Sequence, residues 1–245
     1  MHHATHTFRC LLVLFLVAVL PGLAVAEPLF VRFETDEGPI LLVTYPELAP
    51  NHVANLVHLS ETGFYDGSKF HRIVPGFVIQ GGDPNSKDAD PRNDGMGGPT
   101  LADVIGAEDA ELLQALNDRL AERGYKGLEG MANLKQEFSA VKHVRGTLSM
   151  ARGRDVDSAG SQFFICVAVT PQLDTQYTVF GYAVTGQDVA DRIVSAEKNP
   201  SAGRDYPSVP VAINRAVVIR GTEDLTAAER AAWDALPADL QTKTR

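Results

Sequence analysis

Residues 70–83 read Phe-His-Arg-Ile-Val-Pro-Gly-Phe-Val-Ile-Gln-Gly-Gly-Asp, and they constrain the fold more than any other stretch of the chain. Pro75-Gly76 cannot continue a regular element, because proline lacks an amide hydrogen and glycine favours turn geometry. β-Branched and aromatic residues crowd both sides, so two short strands joined by a tight reversal are expected. Phe70, Arg72 and Val74 then share one parity, and Val78 and Gln80 share one beyond the turn. A cation and an amide therefore sit beside apolar rings on one surface. The same pattern suits an ordinary hairpin with an exposed arginine, and this stretch alone does not separate the two.

The remaining chain repeats the short-strand pattern. Residues 29–35 and 39–45 are β-rich runs around Asp36-Glu37-Gly38, a hairpin signal. Runs of strand character follow at 147–151, 162–169, 178–184 and 209–220. Helical spacing is confined to few places. Pro50 suits a first helical turn, and Val53, Leu56, Val57 and Leu59 follow it until Gly63. Residues 187–196 place Val189, Ile193 and Val194 on one face of a second short helix. Many short strands with two or three helices predict a mainly β barrel or sandwich, not a parallel α/β sheet.

Composition narrows the function classes. The 245 residues are 44% hydrophobic and 22% charged, ordinary for a soluble globular chain. A net charge of −9 without a basic stripe argues against a nucleic-acid partner. No Lys/Arg cluster suggests an anionic membrane surface. Arg9, the apolar run 11–20 and Ala24-Val25-Ala26 form a secretory signal peptide over 1–26, with cleavage expected before Glu27. The apolar run is short for a membrane anchor, so no span is expected after cleavage. Export across the inner membrane to the periplasm follows as the expected location. Cys10 leaves with the signal, so Cys166 has no intramolecular partner and the core must supply stability. Its neighbours Phe163, Phe164, Ile165 and Val167 predict a buried, inert thiol.

Two segments stand apart from the expected main domain, 27–221. Within 101–130, residues 107–123 place Leu112, Leu113, Leu116 and Leu120 on one helical face, with Gly124 as a stop. The tail, 222–245, opens on Thr226-Ala227-Ala228-Glu229, a capping-box pattern, and Pro237 limits the helix that follows. It carries Trp233, the only tryptophan, whose ring is expected to dock on the domain.

Residues 70–83 closely resemble the signature of cyclophilin-type peptidyl-prolyl cis-trans isomerases. Gly146-Thr147-Leu148-Ser149-Met150-Ala151-Arg152, Gly160-Ser161-Gln162-Phe163-Phe164-Ile165 and Val179-Phe180-Gly181 follow in that family's order. Ala49-Pro50 through Asn55 and Gly63-Phe64-Tyr65-Asp66-Gly67 look like its bacterial branch. The resemblance implies a closed eight-stranded antiparallel barrel capped by two helices, here with an inserted helix and a helical tail. It implies a rotamase acting on X–Pro bonds of Pro-containing polypeptides and assisting the folding of exported proteins, as a chaperone does. A non-catalytic module that captures Pro-containing segments is the alternative class.

The resemblance also assigns roles. Arg72 would be catalytic. Phe77, Val78, Phe164 and Leu173 would line the pocket for the proline ring, with Tyr177 at its rim. Gln80 would steady Arg72 and the substrate backbone, and Ala151, Arg152 and Gln162 would border the groove before the proline. No cofactor is required, since the reaction makes and breaks no bond. Three departures stand out. Gln172 occupies a position where a tryptophan is frequent in eukaryotic relatives, which implies weak binding of cyclosporin. Tyr177 stands where those relatives carry a pocket-rim histidine. The third is the insertion, 101–130, expected to pack on the barrel wall or to narrow the groove and tune substrate choice.

Other clusters carry less. Asp83, Asp88, Asp90 and Asp94 lack the glycine and distal glutamate of a helix-loop-helix calcium site and read as a solvated acidic loop. His71 has the parity opposite to Arg72 and reads as structural, while His52, His58 and His143 show no metal-ligand spacing. Ser158 and Ser161 lack the strained elbow of a serine hydrolase.

Overall fold

The computed structural model describes residues 27–100, 103–104 and 132–243. The expected signal peptide and the expected helix at 107–123 fall outside these residues. Eight strands form one antiparallel sheet: β1 Leu29–Thr35, β2 Gly38–Thr44, β3 Arg72–Val74, β4 Val78–Gly81, β5 Thr147–Met150, β6 Phe163–Cys166, β7 Val179–Ala183 and β8 Ile213–Arg220. Their order is β3-β4-β6-β5-β7-β2-β1-β8. Strands β5 to β8 are all shorter than their sequence runs, β6 and β8 most. Gln162 and Val169 flank β6 outside the ladder, and residues 209–212 lie ahead of β8, where Pro207 and Pro210 can donate no ladder hydrogen bond.

The expected closed barrel is met only in part. The sheet curls until its two outer edges meet, but they join before the strands themselves begin. Lys69 bridges Ala212, with Phe70 N donating to Val211 O at 2.9 Å and Ile213 N to Ser68 O at 2.8 Å. Beyond that corner β3 has no strand neighbour on this side. Ile73 N instead donates to Asp205 O at 2.8 Å, so a loop stands where a continuous ladder would run. The architecture is an eight-stranded, curled antiparallel sheet with helices.

Alternation along the strands divides the side chains between two faces. Phe33, Ile40, Leu42, Ile73, Ile79, Leu148, Phe163, Ile165 and Phe180 point inward, fully buried, around Tyr65 and Phe70. Helix α1, Pro50–Glu61, packs Val53, Leu56 and Leu59 into this core, and α2, Gln187–Val194, adds Val189, Ala190, Ile193 and Val194. α1 has no side-chain cap at Ala49. Its orphan amides are met from far away. Glu137 accepts from Asn51 N at 3.3 Å, His52 N at 3.1 Å and His52 Nδ1 at 2.7 Å. A carboxylate there also complements the helix dipole.

The tail folds back on the sheet as α3, Ala227–Ala235, and α4, Ala238–Gln241. The predicted capping box is formed, with Thr226 Oγ1 accepting from Glu229 N and Glu229 Oε2 from Thr226 N. Trp233 docks edge-on to Phe30 with ring centroids 5.0 Å apart, within an apolar cluster with Tyr45, Ile219, Leu236 and Leu240. Among the described residues no helix is long and apolar enough to cross a membrane.

Candidate active site

Register builds the site. Arg72 lies opposite Gln80, Gln80 opposite Phe164, and Phe164 opposite Ser149 across β3, β4, β6 and β5. Val78 lies opposite Cys166 one pair further along. Because side chains alternate, this row faces away from the isoleucine core and lines the outer wall. His71, of opposite parity, is buried, which agrees with its structural reading.

A cavity of about 220 Å³ opens on this wall. Arg72, Phe77, Val78, Gln80, Ala151, Arg152, Phe164, Leu173 and Tyr177 line it. Its floor is apolar: Val78, Phe164 and Leu173 are all buried. Gln162 is the one expected site residue outside this cavity. It lines an adjoining cavity of about 260 Å³, which shares Gln80, Ala151 and Arg152 with the first and includes the glycine loop 95–98. The ten residues singled out from the sequence thus fall along two joined hollows.

The polar groups are held by one another. Arg72 Nη1 donates to Gln80 Oε1 at 3.2 Å, Gln80 Nε2 to Gln162 Oε1 at 3.0 Å, and Gln162 Nε2 to Gly97 O at 2.8 Å. Arg72 Nε stands 3.9 Å from Asp205 Oδ2, an electrostatic contact beyond hydrogen-bond length. Its side chain stays 39% exposed, and Gln80 takes one of its five N–H donors. Arg152 lies over the Tyr177 ring at 4.7 Å, a cation–π contact, while Tyr177 meets Phe164 edge-on at 5.6 Å.

Several supporting residues have no signal in the sequence. His143 stacks beneath Phe164 at 6.1 Å, and its Nε2 lies 3.0 Å from Ser149 Oγ and its Nδ1 3.2 Å from Asp174 Oδ1. Burial holds its pKa below the ordinary histidine value despite Asp174. Thr175, between Asp174 and Tyr177 on the rim, is the one non-glycine residue with positive φ among those described, at 62°. For a β-branched residue that conformation is strained, and the surrounding contacts must hold it. Cys166 lies behind Val78, and burial pushes its thiol up to about 11, an inert thiol as its neighbours imply. Asp83 corrects the acidic-loop reading. Its side chain is fully buried and is bonded to loop amides, while Asp88 and Asp90 remain outside.

A half-exposed guanidinium thus stands beside a hollow with an apolar floor on the outer face of the sheet. Comparison with known proteins places it. The family described as cyclophilin type peptidyl-prolyl cis-trans isomerase/CLD matches residues 30–218. Peptidyl-prolyl cis-trans isomerase A of Dickeya dadantii is 33% identical over 214 residues, covering 85% of this chain and 94% of its own. A peptidyl-prolyl cis-trans isomerase of Synechococcus elongatus is 38% identical over 167 residues, covering 68% of this chain and 86% of its own. The crystal structure of a cyclophilin type isomerase from Cryptosporidium parvum superposes with a TM-score of 0.60 at 25% identity, covering 78% of this chain and 98% of that one. The same protein is also described in the presence of the dipeptide Ala-Pro. This chain belongs to the cyclophilin-type peptidyl-prolyl cis-trans isomerase family. Its activity is the cis–trans isomerisation of X–Pro bonds. The matched span ends before the tail.

Proposed function

We propose that Arg72 is the catalytic residue and that the 220 Å³ cavity receives the proline ring. Resonance opposes rotation about a peptide bond with a barrier of ~18–20 kcal/mol. An X–Pro bond left alone takes tens to hundreds of seconds to turn. Nothing is broken, so the gain must come from binding the twisted amide more tightly than the planar one. In the twisted state the proline nitrogen recovers its lone pair, and a guanidinium N–H can donate to it. Arginine suits this part because it stays charged and its donors lie in a rigid plane.

Phe77, Val78, Phe164 and Leu173 hold the ring while the preceding carbonyl swings. Their apolar surfaces exclude water and so strengthen the Arg72 interaction. Tyr177 closes the rim. Gln80 orients Arg72 and offers an amide to the substrate backbone, and Ala151, Arg152 and Gln162 border the residues before the proline. The Ala-Pro dipeptide described with the C. parvum relative supports this class of ligand. Gln172 leaves the rim without a tryptophan, which supports weak cyclosporin binding.

The carrying observation is that Arg72, held by one hydrogen bond to Gln80 and a longer contact with Asp205, lines a hollow with an apolar floor. Arg72→Ala tests it. Turnover of an Ala-Pro tetrapeptide is expected to fall about 100-fold while peptide binding persists, the scale of losing one aimed transition-state donor. Undiminished turnover would remove Arg72 from the mechanism.

We further propose that the enzyme acts on exported proteins in the periplasm, where slow proline steps limit folding. Arg9, the apolar run 11–20 and the Ala24-Val25-Ala26 site support this. Terminal sequencing of the protein from cells that produce it should find Glu27 first; a chain beginning at Met1 would refute export by this signal.

A further inference from the structure

We propose that Asp83 is a positioning residue for Arg72, acting through the glycine loop 95–97 and the two glutamines of the site. The proposal rests on the reading of Arg72 as the catalytic donor.

Asp83 lies two residues past the end of β4 and is fully buried. Its Oδ1 accepts from Asn85 N at 2.9 Å, and its Oδ2 accepts from Gly97 N at 3.3 Å and, in closer contact, from Gly95 N. The carboxylate thus gathers three backbone donors and fixes the loop against the end of β4. The fit tolerates only glycine at its centre. A Cβ on Gly97 would lie 2.2 Å from Asp83 Oδ1 and 2.9 Å from Asn85 Cγ. Gly95, at φ +84°, turns the chain in a conformation L side chains rarely adopt.

From this anchor a single line of hydrogen bonds reaches the guanidinium. Gly97 O accepts from Gln162 Nε2, Gln162 Oε1 from Gln80 Nε2, and Gln80 Oε1 from Arg72 Nη1. A side-chain amide can be turned over, so in isolation each glutamine has two orientations. The two ends of the line remove that freedom. A backbone carbonyl only accepts and a guanidinium only donates, so both amides must present nitrogen to the loop and oxygen to Arg72. The polarity of the row is therefore fixed from both ends, and Asp83, through Gly97 N, holds the loop end in place. A loop displaced by a fraction of an ångström carries Gln162, then Gln80, then the Arg72 donors out of line, and misplacement on that scale is costly to catalysis.

Asp83→Asn presents an amide donor to the loop N–H groups. Gly97→Ala forces the loop off the carboxylate from the other side and carries the same test if Asp83→Asn does not fold. In each, kcat for an Ala-Pro tetrapeptide is expected to fall about tenfold with KM within about twofold. The 15N relaxation of the Arg72 Nε–H signal in the free enzyme should show a more mobile guanidinium, which a merely structural role for Asp83 would not produce. Unchanged kcat in folded protein overturns the proposal, and so does a loss of kcat with Arg72 relaxation unaltered. Full activity in Arg72→Ala overturns instead the reading on which the proposal rests.

Discussion

Arg32 and Arg72 are the same side chain in opposite states. Arg32 projects from β1 toward the tail, and its Nε and Nη2 meet the two oxygens of Glu229 at 2.6 and 2.7 Å. Nη2 also reaches Asp224 O at 3.3 Å, and the pair is nearly closed to solvent, with side-chain exposures of 16% and 7%. Among the described residues Arg72 makes one side-chain hydrogen bond, to Gln80, and is 39% exposed. The first guanidinium is held by three hydrogen bonds, two of them to one carboxylate, and fastens the tail to the sheet. The second is held just enough to be aimed at a substrate. A firmly paired arginine contributes stability and a loosely held one contributes chemistry, and the two should separate under mutation.

The sharpest break is at Arg72. The 100-fold loss expected for Arg72→Ala corresponds to about 2.7 kcal/mol of transition-state stabilisation. Its unfolding free energy from a urea melt should stay within about 0.5 kcal/mol of wild type, since a half-exposed side chain with one such bond contributes little to folding. A large loss of stability would erase the distinction. Glu229→Ala tests the other side. It removes a bidentate, nearly buried partner together with the Thr226 capping box, and should cost about 2 kcal/mol in a urea melt. Its kcat should match wild type, and a reduced kcat would show that the tail reaches the groove.

The smallest effect concerns three buried histidines. Burial depresses the pKa of His52, His71 and His143 below the ordinary value, although Glu137, Asp83 and Asp174 stand near them. Each stays neutral in the fold to lower pH than in the unfolded chain, so below pH ~6.5 the unfolded chain takes up protons that the folded chain refuses. Their contribution to stability is therefore complete above that pH and declines as pH falls below it. Denaturation between pH 7.5 and 5 should show this decline. Burial also opposes ionisation of Glu137, but the donors on His52 and Asn51 more than offset it and keep its pKa low. The carboxylates therefore enter only at lower pH.

Legibility differed between the two arginines for a physical reason. The row carrying Arg72 was readable because strand parity and the Pro75-Gly76 reversal are local properties, and both survived folding unchanged. The capping box at Thr226 was readable for the same reason. The partner of Arg32 was not, because Glu229 lies 197 positions away and nothing near Arg32 points to it. Asp83 was misread as solvated, since an aspartate amid Asp88, Asp90 and Asp94 looks like its neighbours until the glycine loop closes over it. The closed barrel implied by the resemblance became a curled sheet joined at one corner, because the three-residue β3 meets a loop at Asp205.

The order of short strands, the parity that places Arg72, Val78 and Gln80 on one face, and the capping box of α3 were set by the sequence on its own. They depend on torsional preference and alternation over a few residues, which neighbours in the chain decide. The tertiary structure alone decided what those side chains touch. Gln162 meets Gln80 across 82 positions, Glu137 caps α1 from 85 positions away, and Asp83 lies under a loop that folds back over it. Such contacts arise only when the sheet curls and brings distant segments within hydrogen-bond reach, and one residue's pattern does not encode another's distance.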